Sequence, residues 1–507
     1  MNEHPWSRRL IIIALPIIVG VFYFTASLHF TYTPDDTYIY LRFAKNVIQG
    51  NGISFNPGVP TYGFTSPLWL FIISLGGSMG VDLYVAAKGI DLVFASLALV
   101  VFYLLAYEMI RDSAAAICAT VAFSLNAWLM RWAGTGMETS LAVFLTLATL
   151  WFCLRNEYFV AIVLAALLSL VRPEGALIVP VIIGDMYFNS VDKRRAIHMS
   201  AALALIFSVI LVPWLLYAFN TFGTVLPNSA FAKAGWHPGI DQLTATGIDI
   251  IRTIGGVDGA AVVALVLAGS ILIAKRKMLI AGDGIDRRLF LIRQSVVGIG
   301  WIVLVLIFYL ASDANVVSRY LLLVTPMITI LAFSYVHHVM LHTSMKRFSY
   351  AAVLLLAALV MVQNQLAYRR VVVPGMAAFE QGMETCLIPI GKWLNQNTPP
   401  GTKVVTGDVG AIGFFSGREI CDAAGLVSPA ARQLLQQGNN ADDIIGRKLY
   451  ESFCQPEYVI HRASLPEELK GDPALLPLLT RPFAGVSLSD PQIRYYTLYK
   501  VTSKVNQ

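Results

Sequence analysis

Charge is what this 507-residue chain has least of. Asp, Glu, Lys and Arg make up 13% of it, about half the usual share of a soluble domain, against 56% hydrophobic residues and a mean hydropathy of +0.65. That balance excludes an ordinary soluble enzyme and a disordered chain alike. Cysteine is scarce as well, with five residues, too few for a disulfide scaffold. Cys118 and Cys153 lie in apolar runs and read as core thiols. Cys386, Cys421 and Cys454 lie near the C-terminus and leave room for one disulfide, with one thiol over, if that part is outside the cytoplasm. There is no CxxC and no Cys/His metal spacing, which excludes the common zinc modules. His337-His338, near a helix end, read as packing or interfacial residues. The turn Gly407-Asp408-Val409-Gly410 lacks the spacing and context of a dinucleotide-binding fingerprint.

What the chain has in quantity is long apolar runs. The first covers residues 10–29, and eleven more lie near 67–80, 85–108, 113–130, 138–154, 158–171, 174–188, 196–219, 257–274, 294–312, 319–341 and 348–367. Runs of about 20 residues cross a bilayer, so the class is a polytopic α-helical membrane protein. Arg8-Arg9 before the first run places the N-terminus in the cytoplasm. A cleaved signal peptide is the alternative, but Ser27-Leu28-His29 is a poor cleavage site. Lys193-Arg194-Arg195, Lys275-Arg276-Lys277 with Arg287-Arg288, and Lys346-Arg347 mark cytoplasmic turns. These put 220–256 and the C-terminus outside, which needs an odd number of crossings. The expectation is about eleven spans, with one of the short runs 67–80, 158–171 or 174–188 re-entrant or surface-lying. The net charge of +6 then serves orientation rather than nucleic-acid binding.

Composition shifts at residue 368. Residues 368–507 hold 14 basic and 13 acidic residues, about 19% charged, against about 11% before them. We expect a membrane domain over 1–367 and an extracytoplasmic α/β domain over 368–507. In the latter, 388–397 reads as a short amphipathic helix stopped by Pro399-Pro400-Gly401, and 403–406, 419–421 and 458–461 read as strands. Two long external loops, 30–66 and 220–256, stand out, and loops of that length are usually functional.

The first loop opens Thr33-Pro34-Asp35-Asp36, continues Arg42-Phe43-Ala44-Lys45-Asn46 and Gly50-Asn51-Gly52, then Phe55-Asn56-Pro57-Gly58 and Tyr62-Gly63-Phe64-Thr65-Ser66-Pro67. Two carboxylates where the chain leaves the bilayer fit a helix start, with Asp35 as cap and Asp36 in the first turn. They also fit a general base at the mouth of a membrane cavity. Glu138 opens an apolar run, where it is either a helix-terminal carboxylate or a site residue. Arg172 and Glu174 sit between two runs, as an ion pair shaping a hairpin or as ligands. Arg319 begins a run, where a cation either clamps a lipid phosphate or snorkels to the interface. Lys233 reads as a solvated lysine or a phosphate ligand, and Asn228 after Pro227 as a turn residue or a site residue. By this topology Asp35, Asp36, Glu138, Arg172, Glu174, Lys233 and Arg319 all fall at one membrane face, as a reaction there requires.

The loop resembles the first external loop of GT-C membrane glycosyltransferases, which use polyprenyl-phosphate sugars and carry an acidic pair just after their first span. Its pattern is similar to that of the group around the mycobacterial terminal arabinofuranosyltransferase. Later pieces agree in order: Gly136-Met137-Glu138-Thr139, Arg172-Pro173-Glu174-Gly175, Leu226-Pro227-Asn228-Ser229 with Lys233, Ser318-Arg319-Tyr320, and, near the C-terminus, Gly407-Asp408-Val409-Gly410 and Asp422-Ala423-Ala424-Gly425-Leu426. Leu321-Leu322-Leu323 stands where that group often has proline beside the Arg-Tyr element, so an arabinose substrate is not carried over.

The resemblance implies an inverting transferase in a bacterial cytoplasmic membrane. It would move a sugar from a polyprenyl-phosphate donor to a cell-envelope glycan, with the bilayer and no nucleic acid as further partners. It implies Asp35 as base and Asp36 positioning the acceptor or a metal, with the choice between the two nearly open. Arg319, Lys233 and Arg172 would meet the leaving phosphate, and Arg42, Glu138, Glu174, Asn228 and Tyr320 would line the substrate site. An acidic pair can hold Mg²⁺ or Mn²⁺, and the residues leave the metal open. Trp393, Phe414, Phe415, Tyr495 and Tyr496 offer sugar-stacking faces or core. A transporter would need an internal repeat and midplane charges. A lipid-glycan polymerase or ligase would share the spans and a large external loop, and a scaffold would not need the acidic pair.

Overall fold

The computed structural model describes residues 5–228, 239–274, 284–312, 318–341, 345–486 and 492–502. Helix α1 (Pro5–Ser27) takes the first apolar run. The loop after it winds at once into α2 (Asp35–Ile48), an amphipathic helix that buries Ile39, Leu41, Phe43 and Ala44. Turns through Gly50, Gly52 and Gly58, all at positive φ, return the chain to α3 (Pro67–Ser78). Ser66 caps that helix and Pro67 opens it, the residue types that favour a helix start.

Short acidic or amide caps then punctuate the bundle. Asp82 caps α4 (Leu83–Ile110), Asp112 caps α5 (Ser113–Ser124) and Asn126 caps α6 (Ala127–Trp132). The run expected at 113–130 is thus broken in two, because Asn126 starts a new helix. Helices α7 (Thr139–Leu154), α8 (Tyr158–Val171), α9 (Ile178–Asn189) and α10 (Lys193–Phe222) follow, with a 3₁₀ turn at Pro173–Leu177 before α9. The second long loop is shorter than expected, because α11 begins at its middle and runs Ile240–Ala274. Next come α12 (Gly284–Ala311), the single turn α13 (Ser318–Leu321), α14 (Thr325–Leu341) and α15 (Ser349–Ala367).

Residue 368 is not a linker. Helix α15 continues through π-helical turns into α16 (Val373–Gly382) and α17 (Ile388–Asn397), so the segment expected as a separate short helix is the end of one rod over Lys346–Asn397. Among the described residues, five helices are long and apolar enough to cross a membrane, and six shorter apolar helices accompany them.

Beyond Pro399 the chain builds a five-stranded sheet in the order β2-β1-β3-β5-β4. Strands β1 (Lys403–Thr406), β2 (Glu419–Asp422) and β3 (Tyr458–Ala463) are parallel, and β5 (Arg494–Val501) and β4 (Leu475–Phe483) extend the sheet antiparallel. Helix α18 (Gly410–Ser416) crosses between β1 and β2. Cys421 and Cys454 form a disulfide, leaving Cys386 as the odd thiol of the three.

The sheet domain is docked on the first loop by specific bonds. Arg42 is buried and donates to the carbonyls of Phe55, Gly413 and Arg418 and to Asn56 Oδ1. Asn56 pairs in both directions with the backbone of Ile420, and Tyr38 packs on Phe414 and Phe415 with ring centroids 5.7 and 5.3 Å away.

Candidate active site

Pro34, in extended conformation, starts α2 and puts Asp35 and Asp36 in its first turn. There both carboxylates favour the positive end of the helix dipole. Asp35 does not cap its own helix. Its two oxygens accept the amide N–H groups of Gly410 (2.9 Å) and Ala411 (2.8 Å), so it caps α18 of the sheet domain. Burial, and next the charge of Asp408, push its carboxyl up to about 7, while the two amides partly offset them. Asp36 turns the other way and pairs with Arg319 Nη2 at 2.7 Å.

Both carboxylates face a cavity of about 710 Å³ between the helices and the sheet domain. That is the size of a small-molecule site. Arg319, Arg131 and Arg252 supply its cationic wall, and Asp408 faces it from the turn after β1. Arg319 is nine-tenths buried, and its Nε finds no hydrogen-bond partner among the described residues. A buried unpaired donor is costly unless a ligand meets it.

Glu138, Arg172 and Glu174 come together just behind this wall. Arg172 donates to Glu138 (3.1 Å) and Glu174 (2.7 Å), and Tyr309 donates to Glu174 (2.5 Å). Tyr320 joins this triad to the cavity. Its ring stacks on Tyr309, lies 4.6 Å under the Arg172 guanidinium and 5.3 Å from that of Arg319. The triad thus buttresses Arg319 rather than lining the cavity.

Two of the expected substrate residues are placed elsewhere. Arg42 spends its donors on docking the sheet domain, and burial pushes its guanidinium down to about 9. Asn228 hydrogen-bonds Leu426 O, Arg432 and, through its backbone, Tyr62 O, which ties the second loop to the sheet domain. Lys233 lies outside the described residues. Among the expected aromatic faces, Tyr496 lines the cavity, whereas Trp393, Phe414 and Phe415 pack in the core.

Sequence reasoning passed over Asp408, Arg131 and Arg252. For Asp408 the available signal was an acid at the C-terminal end of a parallel strand, where ligands of α/β sheets gather. For the arginines there was none beyond charge beside an apolar run.

Among the described residues, no group of three or more His, Cys, Asp or Glu side chains is arranged to hold a metal ion. Asp36 is already engaged by Arg319 and Asp35 by two amides, a donor set that does not make a cation cage.

A family described as a domain of unknown function, DUF8728, matches residues 375–501. No curated protein matches the chain. Solved structures do. ArnT from Cupriavidus metallidurans in the apo state aligns with a TM-score of 0.60 at 12% identity, over 95% of this chain and 97% of that one. The same protein bound to undecaprenyl phosphate aligns at 0.56 and 13%, over 96% and 97%. The archaeal oligosaccharyltransferase AglB from Archaeoglobus fulgidus, in complex with an inhibitory peptide and a dolichol-phosphate, aligns at 0.58 and 14%, over 89% and 70%. At such identities the likeness concerns the fold alone, helices followed by a C-terminal domain.

Proposed function

We propose that the chain is an inverting glycosyltransferase that takes a sugar from a polyprenyl-phosphate donor and passes it to a cell-envelope glycan at the outer face of a bacterial cytoplasmic membrane. The observation that carries this reading is one cavity lined both by the Asp35 and Asp36 carboxylates and by the guanidiniums of Arg131, Arg252 and Arg319. The ligands of the structural neighbours, undecaprenyl phosphate and a dolichol-phosphate, fit the same chemistry.

In this mechanism the donor's phosphate lies against Arg319, with Arg131 and Arg252 beside it. An acceptor hydroxyl oxygen attacks the anomeric carbon, its proton passes to Asp35, and the bond from that carbon to the phosphate oxygen breaks. Direct displacement inverts the anomeric centre. Asp35 suits the base because its carboxyl sits near neutral pH, the range in which a general base works best. Asp36 holds Arg319 in place, and Arg319 offsets the negative charge gathering on the leaving phosphate. The Arg172 triad keeps Tyr320 and Arg319 rigid.

The test compares envelope glycans by mass spectrometry in a deletion strain, the same strain with the wild-type gene, and the strain with Asp35→Asn and Asp36→Asn combined. One sugar mass should vanish on deletion and return only with wild type, and that mass names the sugar. Full restoration by the double variant would reduce the acidic pair to a structural role and overturn the reading.

A further inference from the structure

Asp408 and Asp249 are carboxylates of the cavity that the proposed reaction leaves unused, and Asp408 is the one tied to Asp35. It follows β1 directly, and two residues later the chain turns into α18, whose first two amides hold the Asp35 carboxylate. The turn that carries Asp408 is therefore the turn that grips Asp35. Asp408 is itself held by two donors from the sheet, Tyr496 Oη at 2.7 Å and Arg462 Nη1 at 3.3 Å. Arg462 is fixed in turn by Asp442 at 3.0 Å. The Asp408 side chain remains about a quarter exposed, and both it and Asp35 line the cavity.

We infer that Asp408 and Asp35 form one carboxylate pair that holds two hydroxyls of the acceptor, Asp35 taking the attacking one and Asp408 its neighbour. This inference rests on the glycosyl-transfer reading. The acceptor it selects is a neutral polyol, a glycan that presents adjacent hydroxyls. A carboxylate accepts hydrogen bonds and donates none while ionised, so the Asp408 side of the room matches a hydroxyl and repels a phosphate. Arg319, which keeps an unpartnered buried Nε in the same cavity, matches the donor's phosphate. The two substrates are thus sorted by charge within one cavity. The sheet domain becomes part of the active site rather than a cover over it.

The pair has a second consequence. Two like charges on one cavity wall resist joint ionisation, so Asp408 adds to burial in holding the Asp35 proton. The groups facing Asp35 are Asp36 from its own helix and Asp408 with the Gly410 and Ala411 amides from the sheet domain. Those facing Asp408 are Arg462 and Tyr496 from the sheet and Cys386 from the helical rod.

Dicyclohexylcarbodiimide adds only to protonated carboxyls, so labelling of Asp35 in the full-length chain in detergent, read by peptide mass spectrometry against pH, reports its proton directly. In Asp408→Asn the labelling midpoint should fall by roughly one pH unit, the effect of losing one adjacent like charge. In Asp408→Glu it should stay high, and in Arg462→Gln, which leaves Asp408 uncompensated, it should rise. A variant that merely loosened the fold would move all of them the same way. Unchanged midpoints in both Asp408→Asn and Arg462→Gln would overturn the pairing.

The acceptor grip is read in the deletion strain. Asp408→Asn at wild-type protein level should lower the glycan product more than tenfold, the scale of losing a charged hydrogen-bond partner of substrate, and Asp408→Glu should restore part of it. Full product from Asp408→Asn would overturn the grip. If deletion itself changes no glycan, the transferase reading fails, while the labelling shifts still decide the pair.

Discussion

The two adjacent aspartates have opposite surroundings, and that difference assigns their work. Asp36 is engaged in an ion pair with the Arg319 guanidinium and serves to hold it. Asp35 meets a burial penalty and the charge of Asp408, which outweigh its two amide donors and leave its carboxyl near 7. A base must be deprotonated to act, so the transfer rate should climb with pH through about 7 and level off above it. Purified enzyme assayed across pH with saturating donor checks this. Asp35→Asn should lose about 10²- to 10⁴-fold in rate, the usual worth of a general base, with no rising limb left. A rise that survives in Asp35→Asn would assign the titration to another group.

At the scale of elements, the decisive contact is the start of α18 against the start of α2. No side chain fits between them. A Cβ on Gly410 would stand 2.0 Å from the backbone oxygen of Asp35, which cannot swing away as a flexible side chain would. Gly410→Ala should therefore push the two helices apart, at about 1–3 kcal/mol or more for an overpacked contact. Limited proteolysis should release the sheet domain faster, and the glycan product should fall. Gly471→Ala, which meets nothing within 4 Å, is the matched control and should change neither.

This contact also shows where reading the sequence succeeds and where it stops. The helices follow from apolar runs and their caps, and β1, β2 and β3 from short β-branched runs between turn residues. Strand β4 escapes because Leu475–Phe483 carries two prolines and little alternation, yet it sits at the sheet edge, where proline is tolerated. The acidic pair stands out by its position after the first span. Its partners do not, because Asp35 and Gly410 lie 375 residues apart and nothing local marks one as the cap of the other. Arg42 illustrates the same gap. A charged residue in that loop pattern suggests a ligand, but its donors close on carbonyls of a distant domain.

At the scale of the whole molecule, the proposed reaction needs the sheet domain on the outer side, where a lipid-linked sugar and a wall glycan meet. The disulfide between Cys421 and Cys454 agrees with that side, since such bonds persist in oxidising compartments. It closes β2 onto the segment before β3, next to the backbone of Arg418 and Ile420 that receives Arg42 and Asn56. Opening it should loosen the docking face by about 2–4 kcal/mol, the usual worth of a native disulfide. In intact cells, a membrane-impermeant thiol reagent should label Cys421 and Cys454 only after a membrane-impermeant reductant is added. The free thiols Cys118 and Cys153, partly or wholly buried in apolar helices, should stay unlabelled in both conditions. Labelling of Cys421 and Cys454 only after cells are lysed would put the sheet domain in the cytoplasm. The acidic pair goes wherever that domain goes, because Asp35 is bonded to it. The same result would therefore move the whole cavity to the inner face and remove the extracellular acceptor from the scheme.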